Sequence, residues 1–368
     1  MATTHNSRPL QFEKFENRML LAVTAGVASN GDLEVTGDSA GPVEIVALDS
    51  DSYSVTENGT LVATVDGVTR GIRIALGGAN DDVTLDLGGQ TLKKDVRVQL
   101  GAGDNSFTLS NGTVRGHLVV EGAEGIDTID VQQDVRVGKN ATFKLGAGDN
   151  VVTLSGDFSG KLTVETGLGN DSVTLGQEAS VAKKAKVSLG DGDNLFSFDA
   201  DVARHLHYRG GEGADTVEIL AEARVARHAK IDLGNGDNTF TMEGRVDRDL
   251  KVSAGSGIDT LNITSQAQVA KDAKIKLGEG DDVFTFEGDV KRSLQVDAGG
   301  GIDTLSILAA AKVSKDAKLK LGDGDDTVSH AGAVGRSLHI DGGAGNDTYT
   351  DLGGTAKVVK LNAVEVTA

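Results

Sequence analysis

From residue 76 onward the chain is a succession of short alternations of apolar and polar residues, interrupted at regular intervals by glycine-rich turns. One unit reads Ile231-x-Leu233, the turn Gly234-Asn-Gly236-Asp-Asn238, then Phe240-x-Met242, Glu243-Gly244 and Val246-x-Arg248-x-Leu250 leading into Val252. A period of two places alternate side chains on one face of a strand, so each unit predicts three short strands separated by turns. The turn belongs to a nonapeptide. Two copies, Gly210-Gly-Glu-Gly-Ala-Asp215-Thr-Val-Glu and Gly342-Gly-Ala-Gly-Asn-Asp347-Thr-Tyr-Thr, fit G-G-x-G-x-D-x-U-x at every position.

Aligned on the apolar position, the sixth residue of the thirteen copies is Asp81, Asn105, Asp127, Asn150, Asp171, Asn194, Asp215, Asn238, Asp259, Asp282, Asp303, Asp326 and Asp347. After intervals of 24 and 22, the spacing alternates strictly between 23 and 21, a 44-residue double repeat of two similar halves. A three-strand coil of about 22 residues closes on itself and stacks on the next coil at about 4.8 Å. The expected fold is therefore all-β: a single-stranded parallel β-helix, or β-solenoid, expected to be right-handed. Its thirteen rungs span on the order of 60 Å. Residues 76–350 form the repeats. Residues 29–75, with Leu33-x-Val35, Val43-x-Ile45 and Tyr53-x-Val55 but no glycine motif, read as an N-terminal cap and degenerate rungs. Residues 351–368 read as a C-terminal cap, with Lys357 to Val366 as the last strand.

Composition agrees with this picture and narrows the chemistry. Fifty glycines, two prolines and no tryptophan in 368 residues suit tight turns and short strands better than a core of bulky side chains. A repeat architecture also lets a chain of this length remain one domain. The net charge of -19 argues against nucleic acid and favours cations or basic partners. Without cysteine there are no disulfides, thiol catalysis or cysteine-type zinc sites. No stretch is long enough for a membrane-spanning helix.

The sixth position carries the candidate site. Stacked turns would align these side chains in a ladder, where Asp or Asn can accept from backbone N–H groups, a purely structural role. The nonapeptide also resembles the RTX repeat, and that resemblance implies calcium held between stacked turns by sixth-position carboxylates and glycine-loop carbonyls. A hard cation needs 6–8 oxygen ligands. Two departures qualify the likeness. Each nonapeptide here is followed by about 13 other residues, so one ladder forms rather than two. Asp also alternates with Asn as far as Asp259, which makes sites at Asp127, Asp171 and Asp215 weak. Asp259, Asp282, Asp303, Asp326 and Asp347 follow without interruption, and stacked like charges repel unless a cation intervenes. These five are the best calcium candidates. Fifth-position Asp104, Asp149, Asp193, Asp237, Asp281 and Asp325 are expected to point into solvent, or to add outer ligands.

A second periodic feature is basic: Lys94, Lys139, Lys183, Arg204, Arg227, Arg248, Lys271, Arg292, Lys315 and Arg336, with Gly116 and Gly160 as exceptions. A solvated corner that limits aggregation accounts for it; self-association or binding of acidic surface polysaccharide is the sharper reading. His205 and His228 occupy equivalent places on adjacent rungs without a recurring third ligand, which favours surface stacking over metal binding. Outward Thr and Ser, as in Thr239-Phe-Thr241, suggest ice-binding arrays only distantly. Nearly every charge is absorbed by the repeat and no long loop builds a cleft, so a polysaccharide-acting enzyme is the remote alternative.

At the N-terminus, Phe12-Glu13, Phe15-Glu16, Arg18 and Leu20-Leu21-Ala22 resemble the LEPR-XLL type motif of planctomycete surface and secreted proteins. The resemblance covers about a dozen residues, with Phe15 in place of the usual leucine and no proline. It implies that residues 1–28 serve export. The expectation is a non-catalytic secreted or cell-surface structural or adhesive solenoid stabilised by calcium.

Overall fold

In the computed structural model, which describes residues 23–39 and 41–367, one coil can be followed from Ala229. Ala229–Asp232 forms the first strand, the glycine turn follows, Thr239–Met242 forms the second, and Arg245–Val246 a short third. The chain then rises by one rung. Leu250–Ser253 lies parallel on the first strand, Thr260–Ile263 on the second and Gln268–Val269 on the third. Repetition gives about 13 turns of roughly 22 residues each, and among the described residues there is no helix. The expected β-solenoid is what forms.

The alternation read from the sequence is the one that buries the core. In this coil Ala229, Ile231, Leu233, Phe240, Met242, Val246 and Leu250 are buried, each at 1% exposure or less. A buried aliphatic or aromatic side chain contributes about 1.5–3 kcal/mol, and no coil has enough of them to stand alone, so stacking supplies the cooperativity. Gly236 has φ +106. An added Cβ there would run into the carbonyl oxygen of Gly213 on the rung before, so the turn demands glycine for both conformation and close approach.

The N-terminal end is closed differently. Five strands, β1 (Val23–Val27), β2 (Leu33–Gly37), β3 (Val43–Ala47), β4 (Tyr53–Glu57) and β5 (Thr60–Val65), include antiparallel pairs β1–β2, β3–β4 and β4–β5. β2 and β3 then start the parallel stacks, pairing with Ile72–Leu76 and Asp82–Asp86. β1 falls inside the segment expected to serve export, and its Val23 is buried. The motif-like residues 12–22 lie outside the described residues. At the other end the single expected last strand is two, Thr355–Asn362 and Glu365–Thr367, broken at Ala363 with φ 50. Val358, Val359 and Val366 there are exposed, since these strands pair on one side only among the described residues.

Candidate functional site: a buried carboxylate and amide ladder

The glycine turn ends at the sixth position, where the backbone enters the second strand and turns its side chain inward. Every ladder residue from Asp81 to Asp347 is consequently buried, at 2% exposure or less. All eight carboxylates singled out from sequence, Asp127, Asp171, Asp215, Asp259, Asp282, Asp303, Asp326 and Asp347, stand in this one column.

The column is stitched by one repeated hydrogen bond, in which Oδ1 of Asn105 and of each residue from Asn150 to Asp347 accepts the backbone N–H of the ladder residue one rung earlier. The N–H of Asp171 donates to Asn194 at 3.0 Å, that of Asn194 to Asp215 at 3.0 Å, and that of Asp282 to Asp303 at 2.9 Å. Ser39 of the cap starts the line, donating its N–H and hydroxyl to Asp81 at 2.9 and 2.6 Å. Asp and Asn share this acceptor, so the stitch does not depend on charge. Each bond to a buried carboxylate or amide contributes about 1–3 kcal/mol.

What differs is the other half of the side chain. Asn105, Asn150, Asn194 and Asn238 each donate Nδ2–H to the carbonyl two residues back, that of Gly103, Gly148, Gly192 or Gly236, at 2.8–2.9 Å. The first three also donate to Oδ1 of the next aspartate, Asp127, Asp171 or Asp215, at 2.8–2.9 Å. An amide thus sits where positive charge is wanted, between a carbonyl and a carboxylate. Asp282 and Asp326 occupy the same half of the double repeat, and a carboxylate has no N–H to offer Gly280, Gly324 or the next aspartate. Oδ2 is buried without a hydrogen-bond partner in Asp81 and in all eight candidates.

This shortage of donors has an electrostatic signature. Burial pushes the carboxyl pKa of Asp282 up to about 7, with the charges of Asp259, Asp303 and Asp281 adding to it. Burial likewise raises Asp127, Asp215, Asp259, Asp303 and Asp326 to about 6, and Asp171 in the same direction. Hydrogen bonds from the neighbouring asparagine oppose the shift at Asp127, Asp171, Asp215 and Asp259.

Among the described residues no three His, Cys, Asp or Glu side chains converge as a metal-binding group. A cation in the column would therefore depend on backbone carbonyls as well as carboxylates. Oxygen-only donors, one partnerless oxygen per aspartate and a missing donor at two rungs suit a hard cation at Asp282 with Asp303, and at Asp326 with Asp347. In the alternating rungs the Asn amide takes up the Gly carbonyl such a cation would use.

The fifth-position carboxylates point outward as expected but are also engaged. Oδ1 of Asp104, Asp193, Asp237 and Asp281 accepts the backbone N–H of Ile126, Ala214, Ile258 and Ile302 on the next rung, at 2.7–2.8 Å. The basic corner row is exposed or half-buried, and parts of it pair with neighbouring acids, as Arg292 does with Asp272 at 3.5 Å and Arg336 with Asp316 at 3.7 Å. His205 and His228 stack with ring centroids 5.3 Å apart, and His228 Nδ1 lies 2.9 Å from Asp249. Thr239 and Thr241 lie on the outer face of the second strands, in register with Thr260 and Asn262. No protein-family model, curated protein or solved structure matches this chain.

Proposed function

We propose that this chain is a non-catalytic structural rod of the cell exterior, and that the C-terminal part of its ladder is completed by calcium. The observation that carries the reading is the exchange of Asn for Asp at residues 282 and 326, which leaves consecutive buried carboxylates without the amide donor that the earlier rungs have. A divalent cation supplies the missing charge without altering the stitch through Oδ1. Calcium fits because every available donor is oxygen, from carboxylates and backbone carbonyls, and calcium tolerates irregular coordination geometry. Binding that favours the folded chain stabilises it by mass action, so the rod would be stiffest where calcium is abundant, outside the cell. The resemblance of residues 12–22 to an export motif supports the same location.

Calcium titration of the EGTA-stripped full chain, read by calorimetry and thermal melts, tests this. Saturable binding with a rise in Tm is the expected result, confined to wild type and absent in Asp282→Asn/Asp326→Asn. No bound calcium and no change in Tm would leave a calcium-independent solenoid.

A further inference from the structure

The rod carries a strongly basic strip that the corner row only hints at. On the outer face of the first-strand stack, Lys230 lies in register with Lys251, and Lys251 with Lys274. The same row runs from Lys186 to Lys360 over nine consecutive rungs with no acidic residue in it. Lys230, Lys251, Lys274 and Lys318 are exposed, and among the described residues none of them is in an ion pair. They border two adjoining shallow depressions, one lined by Lys230, Lys251, Val252, Ser253, Lys274 and Lys276, the next by Lys274, Gln295, Lys318 and Lys320 together with Asp297, which is paired with Lys320 at 3.2 Å. Three residues earlier in each coil stands a corner base, Arg227, Arg248, Lys271 or Lys315. The pattern basic-x-apolar-basic thus places two cations per rung on adjoining surfaces.

Like charges directly across a strand pair destabilise a sheet, so a row of unpaired lysines in a chain of net charge -19 calls for a counter-charge from outside. We infer that this face binds a linear acidic polysaccharide laid along the rod axis. The geometry favours an extended polyanion with regularly spaced carboxylates or sulfates, because lysines stand at six of the nine rungs, consecutively at Lys230, Lys251 and Lys274, with His207, Gln295 and His339 at the other three. Among the described residues the row offers no phenyl, phenol or indole ring on which a nucleic-acid base could stack, only the imidazoles of His207 and His339 six rungs apart. The acidic edge of a second copy matches poorly: its fifth-position carboxylates recur on alternate rungs and already accept backbone N–H groups. The inference names the partner of the proposed exterior role and rests on that role for where the polymer is met; it does not depend on calcium.

The test is binding of the full chain to immobilised hyaluronate, carrying carboxylates, and dextran sulfate, with neutral dextran as control, at about 50 mM and about 500 mM salt, with and without EGTA. Binding to one or both polyanions, abolished at high salt and weakened about tenfold or more in Lys230→Glu/Lys251→Glu/Lys274→Glu, is expected. Binding to hyaluronate alone would identify carboxylate as the group recognised, and to dextran sulfate alone, sulfate. These lysines are exposed, so an unchanged Tm should accompany the loss and separate it from misfolding. Dependence on calcium ions alone, with binding intact in the triple variant, would overturn the inference. So would absence of binding to either polyanion, or salt-sensitive self-association of the chain that the triple variant abolishes.

Discussion

The two halves of the ladder share a backbone and differ in one atom per repeat. From Asn105 to Asn238 each second rung places an amide nitrogen between a glycine carbonyl and a carboxylate, whereas at Asp282 and Asp326 an oxygen stands there. Burial is the same in both halves, and so is the Oδ1 stitch. One Oδ2 per aspartate lacks a partner in both halves, but in the N-terminal half an amide donor stands at every second rung, and in the C-terminal half that donor is missing as well. A solenoid can thus confine a requirement for a ligand to one end while the shape stays uniform along its length.

Importing the C-terminal arrangement into the N-terminal half should produce the largest effect. Asn194→Asp removes donors to Gly192 and Asp215 and inserts a carboxylate between Asp171 and Asp215. In EGTA it should cost about 3 kcal/mol in a urea melt, the usual penalty of an uncompensated buried charge, and calcium should restore part of it. An unchanged melt would mean that the amide donors contribute nothing.

Proton binding gives an intermediate effect of defined sign. Asp127, Asp215, Asp259, Asp303 and Asp326 have folded-state pKa values of about 6 and Asp282 of about 7, above the ordinary carboxylate value of 3.8, so between those limits the folded chain holds more protons than the unfolded one. Stability in EGTA is then greatest at the acid side of this window and is lost as pH rises through it. Melts at intervals from pH 4.5 to 7.5 should show Tm falling, with calcium flattening the slope. A Tm that rises over this range would contradict the assignment.

The smallest effect belongs to the outer stitches. Asp237→Ala removes one exposed acceptor for the N–H of Ile258 and should cost about 0.5–1 kcal/mol, in calcium and EGTA alike. A calcium-dependent cost would instead place the fifth-position carboxylates among the ligands.

The sequence contains most of this fold because its signals are local. Period-two strands, glycine turns and a fixed interval specify the coil, and the inward face of Phe240-x-Met242 follows from alternation alone. The cap is less legible, because the antiparallel pairing of β1 to β5 is set by contacts between segments that carry no repeat. Within the site, the run of carboxylates after Asp259 is visible in the spacing. The work of the asparagines is not, since reading Asn as a weaker Asp considers its charge and overlooks its N–H. The Lys230, Lys251 and Lys274 row is hidden in the sequence for a different reason: it lies three residues beyond the corner bases, and only the turn of the chain shows that the two rows occupy adjoining surfaces.

The most direct measurement is the melt of Asp282→Asn/Asp326→Asn beside wild type at pH 7.5 in EGTA, repeated in calcium. The exchange restores an amide donor at both rungs, so the double variant should melt higher than wild type in EGTA and gain little from calcium. A variant that melts lower in EGTA, or that keeps the full calcium response, would contradict the claim that the C-terminal ladder lacks positive charge.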